Sequence, residues 1–188
     1  MIKHLKRHKT LYSALLVLAG VGVVLYHYPP DVITEYIGIE NSYLATFIIA
    51  AVGGLNSLTS GVFYAAVATF SSGGANPWLL GLVGGIGITI GDAIIFGLLA
   101  YGIKDIEASW KEKVETWRTR IEKYPTWVVY GGLFLLLGVT PIPNDIVMLA
   151  LVLLGFKFIK VAPIILLAGI NITTLTALLG QSLSSYIF

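Results

Sequence analysis

The sequence predicts an all-α integral membrane protein, arranged as an inverted repeat in which two broken helical hairpins each precede a spanning helix. The first observation is composition: 56% of the residues are hydrophobic, 12% are charged and the mean hydropathy is +0.85. Such a chain has too little polar surface to cover a soluble globule. The second is that turn-forming residues interrupt two long apolar segments near their midpoints. The third is that Lys and Arg occur in clusters that can all be placed on one face of a membrane.

The N-terminal segment, residues 1–30, is predicted to be an uncleaved transmembrane helix. Four basic residues precede an apolar run at 11–26, and no small-residue cleavage site of a signal peptide follows it. The N-terminus is therefore placed in the cytoplasm. The chain has no cysteine, and its three histidines lie near the N-terminus and one membrane boundary. We therefore expect no metal site and no cofactor.

The first broken segment, 43–70, is predicted to enter and leave the membrane on the outer face, because its apolar pattern stops at 53–61. Residues 31–41 before it contain acids but no Lys or Arg, whereas 104–123 contains six basic residues and is placed in the cytoplasm. The spanning helix between them, 78–103, must then run inward. The alternative is one kinked helix that crosses the membrane, but this would put basic residues on both faces.

The second broken segment, 127–155, repeats the pattern from the cytoplasmic side. Its break lies at 140–145, and Lys157 and Lys160 place its far end in the cytoplasm, so the last helix, 161–188, exits. All twelve basic residues then lie on one face. The prediction is one domain in the plasma membrane with the C-terminus outside: an N-terminal helix (1–30), a first repeat (43–103), a cytoplasmic amphipathic helix (104–125) and a second repeat (126–188).

A weak internal repeat supports this topology. Shifting the chain by 84 positions aligns Gly-Ile-Gly-Ile-Thr at 85–89 with Gly-Ile-Asn-Ile-Thr at 169–173. The same shift places the break at 56–61 on the break at 140–145 without a gap. Two such repeats that enter from opposite faces form the inverted layout in which secondary transporters bind substrate at the repeat interface.

The second break also resembles a known family. Thr-Pro-Ile-Pro-Asn-Asp at 140–145, the apolar half-helix that ends in Leu-Gly-Phe at 154–156, and the Gly-rich helix with Gly91 and Asp92 together resemble the VTT-domain (DedA-like, SNARE-associated) membrane proteins over roughly 43–180. The resemblance implies inverted re-entrant hairpins. It also implies translocation of phospholipids or polyprenyl-phosphate carriers, which in some members is coupled to the proton gradient.

The chain departs from that family at two points. The arginine that many members carry before the second turn would fall near Gly138, and the acid of the first turn is replaced by Ser57, Thr59 and Ser60. Both departures argue against anionic headgroup binding and against the usual proton coupling. They leave the predicted fold unchanged.

Asp92 and Asp145 are the only charged residues inside the apolar segments, and an isolated charge there costs about 2.5 to 3.5 kcal/mol. Asp145 either caps the half-helix that starts near Ile146 or exchanges a proton as the site changes exposure. Asp92 lies mid-helix, beyond a small-residue pattern at Gly87 and Gly91 that allows close helix approach. It either bonds to a neighbouring polar group or forms a proton or cation relay that faces the first turn.

The candidate substrate- or proton-binding residues are the two acids, the polar and proline residues of both breaks, and the polar residues of the two spanning helices. In the second spanning helix these form a neutral stripe, which more often holds helices together than binds a ligand. The set is Asp92, Asp145, Asn144, Pro141, Pro143, Asn56, Ser57, Thr59, Ser60, Thr89, Asn171 and Thr173.

Residues 104–123 are predicted to form a cytoplasmic amphipathic helix. Its polar face mixes six basic with five acidic residues, so it lacks the strong positive field typical of nucleic-acid binding. A helix packed over the cytoplasmic side and a lipid-sensing helix are equally consistent with the pattern. The apolar face comprises Ile106, Trp110, Val114, Trp117 and Ile121.

Three functions follow from these features. The first is a lipid flippase or scramblase, and the second is a proton- or cation-coupled transporter of a small solute. The third is a non-transporting assembly or scaffold protein, which a sealed, dry interior around Asp92 would favour. An enzyme is not expected, because no nucleophile, base and orienting group occur within one membrane zone. Two spanning helices beyond the first make a thin bundle, which is compatible with a homodimer.

Overall fold

A computed structural model of the chain describes residues 30–53, 57–102, 108–140 and 144–187, and these residues form helices without any strand. The prediction of an all-α protein is confirmed over these ranges. The predicted helix within 1–29 and the site residues Asn56, Pro141 and Pro143 lie outside them. The helices are α1 (Pro30–Ile37), α2 (Ile39–Gly53), α3 (Ser57–Ser72), α4 (Pro77–Gly102), α5 (Ala108–Ile121), α6 (Thr126–Gly138), α7 (Asn144–Leu153) and α8 (Phe158–Ile187).

Two of these helices are long and apolar enough to cross a membrane. They are α4 over its full length, Pro77–Gly102, and α8 over Phe158–Leu183. The apolar parts of α2, α3, α6 and α7 have 10–17 residues each, fewer than the roughly 20 residues that a spanning helix needs. Both observations give the chain the character of a helical membrane protein.

Helix α4 is apolar on its outer face, and its inner face combines small residues and one acid with four large apolar side chains. The inner face contains Asp92 and five buried glycines, among them Gly85 and Gly87. A helix that is hydrophobic all round suits a bilayer rather than water, and small residues let neighbouring helices approach closely. The exposed apolar side chains recur every four residues, at Trp78, Leu82, Ile86, Ile90, Ile94 and Leu98.

Helices α4 and α8 cross at Gly85 and Gly169, two positions that the 84-position shift of the sequence aligns. A Cβ atom on Gly85 would lie 2.6 Å from the backbone nitrogen of Ile170, and one on Gly169 would lie 3.1 Å from the Cα of Gly85. Gly81 lies opposite Thr174, so the two helices run antiparallel. Their closest approach therefore depends on two residues that lack a side chain.

The first helix pair, α2 and α3, begins and ends beside the start of α4. The Asn76 backbone N–H, just before α4, donates to the Tyr43 hydroxyl at 2.9 Å. The Ser72 hydroxyl, at the end of α3, donates to the Gly180 carbonyl of α8 at 2.8 Å. Helix α2 packs on α4, α3 packs on α8, and α1 packs on the pair.

The second helix pair, α6 and α7, begins and ends at the opposite end of the bundle. Thr126 at the start of α6 and Leu154 after α7 line one cavity with Lys160 of α8. The rings of Phe96 and Phe158 are 5.4 Å apart at the same end. Helix α6 packs on α8, whereas α7 packs on α4.

The same type of cap ends the second helix of each pair. Gly155 follows α7 with φ +76°, Gly74 follows α3 with φ +100°, and a left-handed conformation of this kind favours glycine. At Gly155 the Phe156 N–H donates to the Leu151 carbonyl at 3.0 Å. Because this cap reverses the chain, each pair leads directly into its long helix.

Some boundaries differ from those predicted. Helix α1 was not anticipated, since residues 31–41 were noted only for their charge. Helix α7 begins at Asn144, two residues before the predicted start near Ile146. Helix α8 begins at Phe158 and includes Pro163 in its second turn, where the missing N–H removes one hydrogen bond within the helix. The amphipathic helix is described as α5 from Ala108 onward.

Candidate functional site

Asp92 is the centre of the candidate site. Its side chain lies on the inner face of α4 and is fully buried. The Asn144 side-chain amide donates to the Asp92 carboxyl at 3.2 Å to Oδ2 and 3.5 Å to Oδ1. A hydrogen-bond donor of this kind offsets part of the cost of burying a carboxyl group. The bond joins the middle of α4 to the start of α7.

A small cavity lies beside this pair. The volume open to the centre of a water molecule is about 10 Å³, which is room for about one water. Tyr64 of α3 is the third polar side chain of its wall, beside Asp92 and Asn144. Helices α3, α4, α6, α7 and α8 all contribute to the lining, whose apolar part is Ile88, Leu137, Ile165, Gly169 and Ile172.

Asp145 has a different environment. It lies in the first turn of α7, where a carboxylate interacts favourably with the helix N-terminus. It is partly buried and borders a groove of about 420 Å³ beside α4. Leu98 and Ile146, two other residues of that groove, are 65% and 61% exposed. The groove therefore opens sideways, toward the region that lipid would occupy.

The two acids are neighbours without a basic residue between them. Asp145 lies within electrostatic range of Asp92, and the described residues of α4, α6 and α7 include no Lys or Arg. The described residues also contain no group of three or more His, Cys, Asp or Glu that could hold a metal ion. The arrangement can hold a proton or a hydrogen-bonded polar group, and in chemical terms it suits a cationic or zwitterionic group better than an anion.

The polar residues of the spanning helices mostly bond locally. The Thr89 hydroxyl donates to the Gly85 carbonyl at 2.8 Å. The Asn171 amide donates to the Gly138 carbonyl at 2.9 Å and thereby holds the end of α6. Thr173 is fully buried, and its hydroxyl has no hydrogen-bond partner among the described residues. None of the three lines the Asp92 cavity.

The role predicted for the polar residues of the first break stays a prediction. Ser57, Thr59 and Ser60 lie in the first turn of α3, where the structure describes the backbone but not the side chains. The described residue of α3 that reaches the Asp92 cavity is Tyr64, which sequence reasoning missed. A tyrosine in an apolar half-helix was the available signal, because a buried phenol usually finds a polar partner.

No family model, curated protein or solved structure matches the chain. The geometry of the helices and of the Asp92 site therefore supplies the argument for function.

Proposed function

We propose that the protein is a DedA-like membrane transporter of inverted-repeat architecture that moves lipid headgroups between leaflets, as a flippase or scramblase. The observation that carries the proposal is the placement of the two helix pairs. They begin and end at opposite ends of α4 and α8, and a residue of each, Tyr64 and Asn144, lies beside Asp92. In such layouts the substrate site lies at the repeat interface near the midplane.

The packing of the helices supports a two-fold relation between the repeats. The first helix of each pair packs on the long helix of its own repeat, α2 on α4 and α6 on α8. The second packs on the long helix of the other repeat, α3 on α8 and α7 on α4. Gly85 and Gly169, which the repeat makes equivalent, meet where α4 crosses α8. Equivalent residues meet in this way on a two-fold axis.

The same placement supports re-entrant hairpins. The four helices of the pairs are each too short to span a bilayer. The Arg118 guanidinium lies near Gly155, so described basic residues of α5 lie at the same end of the bundle as Lys157 and Lys160. In our proposal this end lies on the cytoplasmic side of the plasma membrane, and the other end lies on the outer side.

Cysteine accessibility tests this topology in a chain that has no native cysteine. We expect single cysteines at Glu40 and Gly73 to be labelled from outside, and those at Lys113 and Lys157 from inside. Labelling of position 73 only from inside would contradict the inverted repeat.

The sideways groove favours a lipid over a soluble substrate. Exposed side chains of Leu98 and Ile146 offer a surface for acyl chains, while Asp145 at the same groove offers a polar contact for a headgroup. Phospholipid headgroups are the proposed cargo, and polyprenyl-phosphate headgroups, which are anionic, fit the two acids less well. Since the acids have no basic neighbour on α4, α6 or α7, phospholipids whose headgroup contains an amine are the first to test.

Reconstitution in liposomes tests the function. The full-length protein is placed in vesicles with fluorescently labelled phosphatidylethanolamine, and dithionite quenching reports leaflet exchange. We expect exchange clearly faster than in protein-free vesicles prepared in parallel. Exchange at the rate of empty vesicles would contradict the proposal.

The buried pair of Asp92 and Asn144 also favours a second candidate, a proton- or cation-coupled transporter of a small solute. Isolated intramembrane acids are typical of proton relays. Uptake and pH response that are unchanged in both Asp92→Asn and Asp145→Asn would exclude this candidate.

The size of the Asp92 cavity, about one water, favours a third candidate, a non-transporting assembly protein that could act as a homodimer. This candidate predicts neither leaflet exchange nor solute uptake from a folded protein. Detection of either activity would exclude it.

A further inference from the structure

A second cavity lies far from Asp92, at the end of the bundle where α8 begins. The volume open to the centre of a water molecule is about 420 Å³. The end of α5, the start of α6, the loop after α7 and the first turn of α8 form its wall. Nothing in the proposed transport site uses this cavity.

The cavity has an excess of positive charge. Arg118, Lys157 and Lys160 line it together with one acid, Glu122. The Arg118 Nε donates to Glu122 at 3.1 Å, so this acid already has a partner. Both lysines are exposed, and within the described ranges neither forms an ion pair. Among the described residues, two positive charges therefore remain without a counter-charge.

The fold holds these cations around one point. The cap at Gly155, with φ +76°, reverses the chain, and Lys157 and Lys160 come directly after it, just before and within the first turn of α8. The Arg118 guanidinium lies against this cap, since its Nη1 would be 3.8 Å from a Cβ atom on Gly155. The start of α8, at Phe158, adds the partial positive charge of a helix N-terminus.

The remaining walls are amphipathic. Tyr124 and Tyr130 line the cavity beside Phe156 and Val129, and tyrosine is enriched where a membrane meets water. Trp127, the second residue of α6, is 76% exposed. The cavity therefore lies where headgroups and the upper parts of acyl chains would meet the protein.

We infer that this cavity binds the phosphate of an anionic lipid headgroup from the leaflet at this end of the bundle. Arg and Lys together are the usual partners of phosphate oxygens in proteins. The chemistry that is recognised is a phosphate with at least three unesterified oxygens, which phosphatidic acid shares with inorganic phosphate and which the phosphodiester of phosphatidylcholine lacks. The apolar walls beside the cations point to the lipid as its source. The site is independent of the proposed transport function.

Lipid binding to the purified full-length protein in a neutral detergent tests the inference, with native mass spectrometry as the readout. Phosphatidic acid and phosphatidylcholine are added separately to the wild type and to the double variant Lys157→Gln with Lys160→Gln. We expect the wild type to retain phosphatidic acid preferentially. Because each cation near a membrane surface contributes to anionic lipid binding, the double variant should bind it about tenfold more weakly.

Two controls make the result specific. Lys123→Gln removes an exposed lysine that does not line the cavity, and it should bind phosphatidic acid like the wild type. The charge-preserving variant Lys157→Arg with Lys160→Arg should also retain binding, which separates loss of charge from misfolding.

Three outcomes would overturn the inference. They are equal retention of phosphatidylcholine by the wild type, unchanged binding in the double glutamine variant, and an equal loss in Lys123→Gln. A competition experiment adds millimolar inorganic phosphate to the protein with bound phosphatidic acid. Complete displacement of the lipid would assign the site to free phosphate and overturn the inference that a lipid is the ligand. Retention of the lipid in phosphate supports it.

Discussion

Helices α4 and α8 each contain an apolar span of 26 residues and cross each other, yet their inner faces differ. Helix α4 contributes Asp92, whose partner is the Asn144 of another helix. The 84-position shift aligns Asp92 with Thr176 of α8, whose hydroxyl donates to the Ile172 carbonyl of its own helix at 2.8 Å. A threonine whose hydroxyl bonds within its own helix needs no partner on another helix, whereas a buried acid requires one. Aligned positions of the two long helices therefore differ in whether their polar side chain bonds within its own helix or to another helix.

The largest expected effect is at the crossing point that the two helices share. Gly85→Val places side-chain atoms where a Cβ alone would be 2.6 Å from the Ile170 backbone, and we expect loss of folded protein or at least about 1–3 kcal/mol of stability. Gly169→Ala should cost less, because its Cβ would meet the Gly85 Cα at 3.1 Å. Thermal unfolding in detergent, followed by size-exclusion chromatography, measures both.

Gly97→Val is the matched control for this comparison, because nothing lies within 4 Å of a Cβ there. It should unfold at the wild-type temperature or slightly above it, since valine favours helix over glycine. A Gly85→Val protein as stable as Gly97→Val would disprove the close crossing.

The second effect separates the two equivalent polar positions by function. Asp92→Asn keeps an acceptor for the Asn144 amide but removes the acid, so we expect leaflet exchange to fall by about tenfold or more with little change in thermal stability. Thr176→Val should change exchange less than about twofold, because it removes a bond within one helix. The dithionite assay measures both variants at equal protein-to-lipid ratios. Equal losses in the two would mean that Asp92 has no special role.

The third effect compares how the two long helices hold their short partners. Gly87 and Asn171 are repeat equivalents, and a Cβ on Gly87 would lie 2.6 Å from the Phe47 carbonyl of α2. Gly87→Ala should therefore destabilise by about 1–3 kcal/mol through overpacking. Asn171→Ala removes the bond to Gly138, and we expect a cost of about 0.6–1 kcal/mol. Denaturant unfolding in mixed micelles measures the loss of stability in each variant. A larger loss in Asn171→Ala than in Gly87→Ala would contradict these contacts.

The smallest effect concerns a pair of threonines. Thr173→Val removes a buried hydroxyl without a described partner and keeps the side-chain shape, so stability should be unchanged or up to about 1 kcal/mol higher. Thr89→Val, at the equivalent position, removes the bond to Gly85 and should lower stability by no more than about 0.5 kcal/mol. The same unfolding assay suffices. If Thr173→Val proves the more harmful, then its hydroxyl has a partner in the folded protein.

Much of the helical layout could be predicted because its causes are local. Glycine, serine and proline end helices wherever the surrounding chain lies, so α2 ends at Gly53 and α6 at Gly138, within or close to the predicted breaks. The close approach expected at Gly87 is confirmed by its contact with α2. Helix α1 was not predicted, because it is short and its apolar residues alternate with acidic ones.

The candidate site was only half predictable. Asp92 stood out because a lone acid in an apolar helix is costly in any fold. Tyr64 could not be assigned, since its own segment gives no sign that it faces α4. Asp145 had the same residue type as Asp92, but its position beside a sideways groove depends on how α7 packs against α4.

The sequence by itself determined which segments are apolar enough for a membrane, where those segments break, and which two acids need an explanation. These properties follow from side-chain hydration and backbone preference, which act over a few residues. Only the tertiary structure decided that Asn144, 52 positions away, is the partner of Asp92, and that a positively charged cavity forms around the cap at Gly155. Such contacts depend on helix crossings that glycines permit but do not specify, and so they appear only when all the helices are packed together.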